Sequence, residues 1–244
     1  MSNLSKLMAE AIGTFALCFI GAGAICMATM KGFAPGVDLL AIAIAHGLIL
    51  SIAVSATMNI SGGHVNPAVT VSMLVTGRIK PADAIQYILA QLLGGIVAGL
   101  LVLTIFGDIN IVHTDTAFSV VEKCGLGTPA YDPASLSMGK AILIEAALTF
   151  LLVFAVFGTA VDPRAPKIGG FGIGLTIAAD ILLGGPLTGA AMNPARTFGP
   201  GIVAFISGDL PAFFSQQLVY WIGPILGAVI AGLIYDKIIL AKQP

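Results

Sequence analysis

Ser61–Thr70 reads SGGHVNPAVT. Two glycines, a histidine, an asparagine and a proline stand in a chain that is otherwise apolar. Of its 244 residues, 57% are hydrophobic and 9% are charged, against roughly 25% charged in a soluble domain. So few charges cannot cover a water-facing surface, and the chain reads as an all-α integral membrane protein. Its apolar runs are long, unlike the ~10-residue alternating segments of a membrane β-barrel, so the spans are helical. A net charge of −1 points to neither nucleic acid nor an acidic partner. Helix breakers and amide groups at membrane depth then demand a reason.

A bilayer core takes about 20 apolar residues per helix, which predicts six spans at 5–29, 38–58, 82–106, 138–160, 169–185 and 216–239. The N-terminal run has one basic residue and no convincing cleavage site, and is expected to be a retained first span. Two apolar pieces, near 67–77 and 194–206, are too short to cross, and each begins at Asn-Pro-Ala. An even span count puts both termini on one face. Lys6, Arg78, Lys80, Arg164, Lys167, Lys237 and Lys242 then share that face, with Lys31, Lys123 and Lys140 opposite. Basic residues favour the cytoplasm, so the expectation is a multi-pass protein of the cell membrane with both termini cytoplasmic.

The halves repeat. EAIGTF from Glu10 matches EAALTF from Glu145, SGGHVNPAVT matches TGAAMNPART (ending at Thr197), and LLGGIVAGLL from Leu92 matches ILGAVIAGLI from Ile225. Each half holds three spans, so the second enters the membrane from the opposite face: an inverted 3+3 repeat. The expected unit is one domain, 1–244, with repeats at about 1–110 and 138–244 and an outer connection between them.

Non-helical backbone survives at membrane depth only when buried in protein or lining a wet cavity. In each break, Asn takes the cap position and Pro the first helical position, where its missing N–H costs nothing. Pro67 and Ala68, and Pro194 and Ala195, therefore open re-entrant half-helices. These enter from opposite faces and meet N-terminus to N-terminus, converging their positive dipole ends near the midplane. Asn66 and Asn193 can each offer an amide N–H to whatever occupies the pathway. Gly62, Gly63 and Gly189 permit the tight turns, whose carbonyls can serve as acceptors. Such a pathway suits a small, neutral, polar solute and opposes cations, a travelling proton included.

The paired motifs, Arg196 after the second, and a Glu in the first span of each half resemble the aquaporin (major intrinsic protein) family over essentially the whole chain. The loop VDPRAPK, from Val161, and the overall length look most like its archaeal branch. The resemblance implies six tilted helices, two half-helices, a homotetramer with one pore per subunit, no cofactor, and passive flow of water, in some members of glycerol and other small neutral solutes. It also implies an outer selectivity filter, which falls here on His46, Ile181, Ala190 and Arg196. Strict water channels of the family place Phe, His, Cys and Arg at these positions, and glycerol facilitators Trp, Gly, Phe and Arg. The present set is more similar to the filters of some plant vacuolar members.

Chemically, Arg196 brings fixed positive charge and several donors. His46 offers a donor or an acceptor when neutral and charge when protonated. Ile181 and Ala190 supply an apolar wall and a small side chain. Two readings stay open: a wider filter that passes ammonia, glycerol, urea or hydrogen peroxide besides water, and an ordinary water filter with its histidine on the opposite wall. Thr197, Gly201, Tyr220 and Trp221 stand where glycerol facilitators carry other residues, which leans toward water. Ala190 replaces the cysteine through which many members are blocked, so weak mercury sensitivity is expected.

Glu10 and Glu145 are read either as a proton relay or, following the resemblance, as structural acceptors for N–H groups of the re-entrant loops. His64 is read as a loop-packing histidine. Asp180 is expected to pair with a loop residue or face a subunit interface, with His46 or His113 as a further partner. His113 is a surface residue or a filter extension. Tyr220 and Trp221 also fit an interfacial aromatic belt, and Gly94, Gly95, Gly99, Gly227 and Gly232 fit close helix contacts. Cys18, Cys26 and Cys124 are odd in number and lack ligand spacing, so neither a disulfide nor a metal site is expected, and Cys18 and Cys26 are read as packing residues. No nucleophile–base pair or phosphate loop appears, so no catalytic residue and no enzyme is expected. The rival class, an ion-coupled transporter, needs a charged group to carry the coupling ion, for which only Glu10, Glu145 and Asp180 are candidates.

Overall fold

Each long apolar run forms a helix, and each Asn-Pro-Ala opens a short one. The computed structural model describes residues 1–31, 35–113, 116–210 and 212–240, with backbone alone at 35–37, 112–113 and 116–117. In chain order its helices are α1 (Asn3–Lys31), α2 (Pro35–Thr57), the short α3 (Pro67–Val75), α4 (Pro81–Phe106), α5 (Val120–Cys124), α6 (Met138–Val156), α7 (Phe171–Thr188), α8 (Pro194–Ser207) and α9 (Phe213–Ile234). Wider π-turns extend α6 to Val161 and α9 to Ile239. Six of these helices are long and apolar enough to cross a membrane. At ~1.5 Å per residue, the 29 residues of α1 outrun a hydrocarbon core of about 30 Å, which favours a tilted crossing. Leu48, Leu89 and Leu183 point outward, more than half exposed, as expected of a surface solvated by lipid tails.

The two halves are built alike. α1 packs on α4 as α6 packs on α9, while α2 meets α7 across the middle. The half-helices cross over: α3 lies against α9, and α8 against α4. Small residues set these distances. A side chain at Gly94 would strike the carbonyl of Ala11, and one at Gly227 the equivalent carbonyl of Ala146. Both glycines are therefore helix contacts, close enough for backbone to touch backbone.

The connection between halves carries structure of its own. Strands β1 (Asn110–His113) and β2 (Thr116–Ser119) pair antiparallel, with Ile111 opposite Phe118. α5 follows, and Val120, Val121 and Leu126 bury against Ala22, Cys26, Val102 and Phe106. Cys26 is free and buried in this cluster, and its sulfur lies 3.0 Å from that of Cys124. An odd cysteine count concealed a pair 98 positions apart. Cys18 stays alone and buried.

Candidate functional site

The residue before each cap asparagine is held in a conformation its side chain disfavours. Val65 has φ 55° and Met192 φ 51°, the left-handed region that costs a side-chain-bearing residue ~1–2 kcal/mol. The strain persists because each backbone group is claimed. The N–H of Val65 donates to Glu10 Oε2 at 2.6 Å, and that of Met192 to Glu145 Oε2 at 2.8 Å. One residue earlier, the N–H groups of His64 and Ala191 donate to the other carboxyl oxygens, at 3.0 and 2.9 Å. The hydroxyls of Ser61 and Thr188 complete the sets at 2.6 and 2.7 Å. Both carboxylates are fully buried, and each gathers one turn by hydrogen bonds from two backbone N–H groups and a hydroxyl. That geometry is a clamp; a proton relay would need a chain of exchangeable partners leading outward.

The carbonyls of the strained residues tie the turns to each other. Asn193 Nδ2 donates to the carbonyl of Val65 at 2.9 Å, and Asn66 Nδ2 to that of Met192 at 2.8 Å. Each asparagine also caps its own half-helix: Asn66 Oδ1 accepts from Ala68 N–H at 2.8 Å, and Asn193 Oδ1 from Ala195 N–H at 3.0 Å. Pro67 and Pro194 occupy the first helical turn, as their missing N–H requires. One amide N–H of each asparagine is thus spent on the opposite turn, leaving one for a solute. Each carbonyl likewise keeps a second lone pair.

Tyr87 and Tyr220 hold the outer ends of the turns, donating to the carbonyls of Ser61 and Thr188 at 2.9 and 2.8 Å. Sequence reading missed Tyr87 and offered an interfacial belt as one of two places for Tyr220, which is fully buried. The signal was present: extending the Leu92/Ile225 repeat five residues backward aligns Tyr87 with Tyr220. Gln91 was also missed. Its Nε2 donates to Glu10 Oε2 at 2.7 Å and to Thr70 Oγ1 at 3.0 Å. Thr70 in turn faces His64 Nδ1 at 3.1 Å, so His64 packs the first turn.

The outer end holds His46, Ile181, Ala190 and Arg196 together, all almost fully buried. Arg196 Nε donates to His46 Nε2 at 3.1 Å, and His46 Nδ1 lies 2.8 Å from the carbonyl of Ile42. Because Nε2 accepts, Nδ1 carries the hydrogen. Both ring nitrogens are therefore engaged, and His46 orients the guanidinium rather than presenting a free donor. A side chain at Gly21 would collide with the imidazole, so that glycine makes room for the ring. Ala190 adopts φ 44°, and Arg196 and Ile181 face an outer vestibule of about 260 Å³ whose far wall is Thr128–Ala130.

Beyond these four residues, Asn66 and Asn193 line a cavity of about 20 Å³, where one water needs roughly 10–15 Å³. One side of it is polar (Gly63, His64 and the asparagines), and the other is aliphatic, including Leu17, Leu152 and Ile177. A further vestibule of about 200 Å³ opens past Gly62, Met73 and Val161. Two larger spaces thus flank the small cavity at the asparagines.

Asp180 is buried within the chain, 4% exposed, and its Oδ2 has no partner among the described residues. His46 is taken, and the side chain of His113 lies outside the described residues. No group of three or more His, Cys, Asp or Glu suited to a metal occurs among the described residues.

Comparison with known proteins fits this architecture. Residues 1–235 match the family model described as Major intrinsic protein. Aquaporin TIP4-4 of Zea mays is 42% identical over 243 residues, spanning 97% of this chain and 87% of that protein. Aquaporin TIP2-1 of Arabidopsis thaliana is 39% identical, spanning 100% and 90%. The aquaglyceroporin from Plasmodium falciparum superposes with a TM-score of 0.83 over 98% of this chain and 97% of that one, at 24% identity, a likeness of fold. The curated relatives are plant proteins, so the archaeal likeness expected from the VDPRAPK loop finds no support among them.

Proposed function

This chain belongs to the major intrinsic protein family, and on that premise we propose that it is a passive transmembrane water channel that excludes ions and protons and also admits small neutral solutes. It is not an enzyme. The observation that carries the reading is the reciprocal asparagine bond between two opposed half-helices. It aims two amide N–H groups and two positive dipole ends at one constriction. A water passing there exchanges hydrogen bonds with fixed partners while a cation meets positive potential.

In this reading Asn66, Pro67, Ala68, Asn193, Pro194 and Ala195 form the central constriction. His46, Ile181, Ala190 and Arg196 form the outer filter, and Glu10, Glu145 and His64 support the loops. The chain acts as a single domain, 1–244, in homotetramers of the cell membrane, with both termini cytoplasmic. The aliphatic Ile181 beside small Ala190 supports passage of ammonia, glycerol, urea or hydrogen peroxide, since apolar walls lower the demand for matched donors. The test is stopped-flow light scattering on proteoliposomes under inward gradients of glycerol and urea, with a pH dye for ammonia. Solute flux above empty liposomes that falls on His46→Phe supports the wider filter. Fast water flow with solute flux at the liposome background leaves a strict water channel.

A further inference from the structure

We propose that Cys26 and Cys124 form a peroxide-oxidisable dithiol whose disulfide pins the wall of the outer vestibule to α1. The two sulfurs lie 3.0 Å apart, with no room for another group between them. Cys26 is fully buried on α1, and Cys124, at the end of α5, is partly exposed. One thiol can therefore meet a solute while the other waits behind it, the arrangement that favours sulfenic acid followed by a disulfide.

The chain after Cys124 shapes its chemistry. Gly125, Leu126 and Gly127 all take positive φ, at 53°, 52° and 67°. Successive N–H groups in such a turn form a concavity suited to negative charge. The thiol of Cys124 is held below its ordinary pKa by the hydrogen bond from Cys26 and by backbone N–H groups of Gly127 and Leu126. That raises the thiolate fraction, which is the nucleophile.

The reaction balances with a hydroperoxide as oxidant. Cys124 thiolate attacks one oxygen of hydrogen peroxide and the O–O bond breaks; the departing hydroxide takes a proton to become water, and Cys124 becomes a sulfenic acid. Cys26 loses its proton and attacks the Cys124 sulfur. The S–O bond breaks, the oxygen leaves as a second water, and the S–S bond forms. Two thiols lose two electrons, and the peroxide gains them.

The consequence is mechanical. Gly127 packs directly on Ala22, one helical turn before Cys26, and Pro129 packs against Gly189 of the second re-entrant turn. Thr128–Ala130 face Arg196 across the outer vestibule. A bond from α1 to Cys124 anchors this strained turn four residues from the vestibule wall.

The experiment uses the full chain, purified in detergent, and does not depend on conduction. Reduced protein is titrated with hydrogen peroxide, denatured, labelled with a mass-tagged maleimide, and weighed intact. The proposal expects labelled thiols to fall from three to one, with loss of two hydrogen atoms, a peptide linking Cys26 to Cys124, and full reversal by dithiothreitol. Cys124→Ser should keep two thiols, Cys26→Ser should fall from two to one with a dithiothreitol-reversible oxygen on Cys124, and Cys18→Ser should fall from two to none. Oxidised wild type should melt at a higher temperature than reduced, and Cys124→Ser should show no such difference. Three thiols persisting under peroxide that oxidises glutathione in the same vessel would overturn the proposal. In the wild type, gain of oxygen atoms without a cross-link, or a link between two chains, would also overturn it. Equal melting of the two forms would remove the anchoring role.

Discussion

Glu10 and Glu145 gather the two re-entrant turns through matched donors, yet the half-helices that leave those turns diverge from their third residue, Val69 against Arg196. Val69 follows Asn66 by three residues and lines the central cavity and the inner vestibule. Its counterpart, Arg196, follows Asn193 by three and faces the outer vestibule. The support differs slightly as well, since Glu10 also accepts from Gln91, whereas Pro224 stands at the equivalent place in α9. The repeat thus supplies a symmetric backbone frame where the two turns meet, and in the proposed function selectivity comes from a few residues that break the symmetry at one mouth. Frame and filter are separable, and substitutions should affect them differently.

The largest effect is expected from removing a clamp. Glu145→Ala orphans three buried donors, and Glu10→Ala orphans four, counting Gln91. Each costs ~1–3 kcal/mol, while the strain at Val65 and Met192 loses its restraint. Both variants should fail to give a monodisperse folded protein in size-exclusion chromatography. Glu145→Gln, which keeps one acceptor oxygen, should retain partial folding. A fully stable Glu145→Ala would break the clamp account.

Next are the asparagines. Asn66→Ala and Asn193→Ala each remove a cap, worth ~0.5–2 kcal/mol, together with one cross-turn hydrogen bond. If the frame is symmetric, their melting temperatures should drop equally. A drop in only one of them would show that one turn carries the constriction alone.

Much of this frame was legible in the sequence because repeats and helix caps are local signals. Asn66-Pro67-Ala68 and Asn193-Pro194-Ala195 announced two half-helices by residue type and spacing alone. What escaped depended on partners distant in the chain. Nothing local to Val65 or Met192 shows that a glutamate elsewhere will hold a left-handed valine or methionine. Gln91 became visible only once α4 was packed beside α1, and the Cys26–Cys124 pair only once α5 had folded onto that same helix. His46 was placed by resemblance, but its engagement on both nitrogens needed the geometry of Arg196.

Smaller effects sharpen the contrast. Asp180 is a buried carboxyl whose Oδ2 is unpartnered among the described residues, a costly arrangement. Asp180→Asn should raise the melting temperature, by the equivalent of about 1 kcal/mol, without altering water flow. A lower melting temperature would mean that the carboxylate has a partner in the membrane.

The smallest effect belongs to the connection between α6 and α7. Arg164 donates to Asp162 from its backbone N–H, Nε and Nη2. The guanidinium holds the Asp162 carboxyl well below the usual carboxylate range. A depressed native pKa stabilises the fold above the unfolded value, roughly 3.9, and that stabilisation is lost as pH falls toward the native one. Asp162→Asn should therefore lower the melting temperature slightly at pH 7, and the gap to wild type should close only in strong acid. A gap that widens on acidification would contradict the assignment.

The most direct test of the central claim is osmotic shrinkage of proteoliposomes followed by stopped-flow light scattering, with entrapped pH dye reporting protons in the same vesicles. The account predicts water efflux well above empty liposomes, unchanged by an uncoupler, with proton entry at the liposome background. Water efflux no faster than in empty liposomes, or flux that an uncoupler abolishes, would contradict a passive pore built on the paired asparagines.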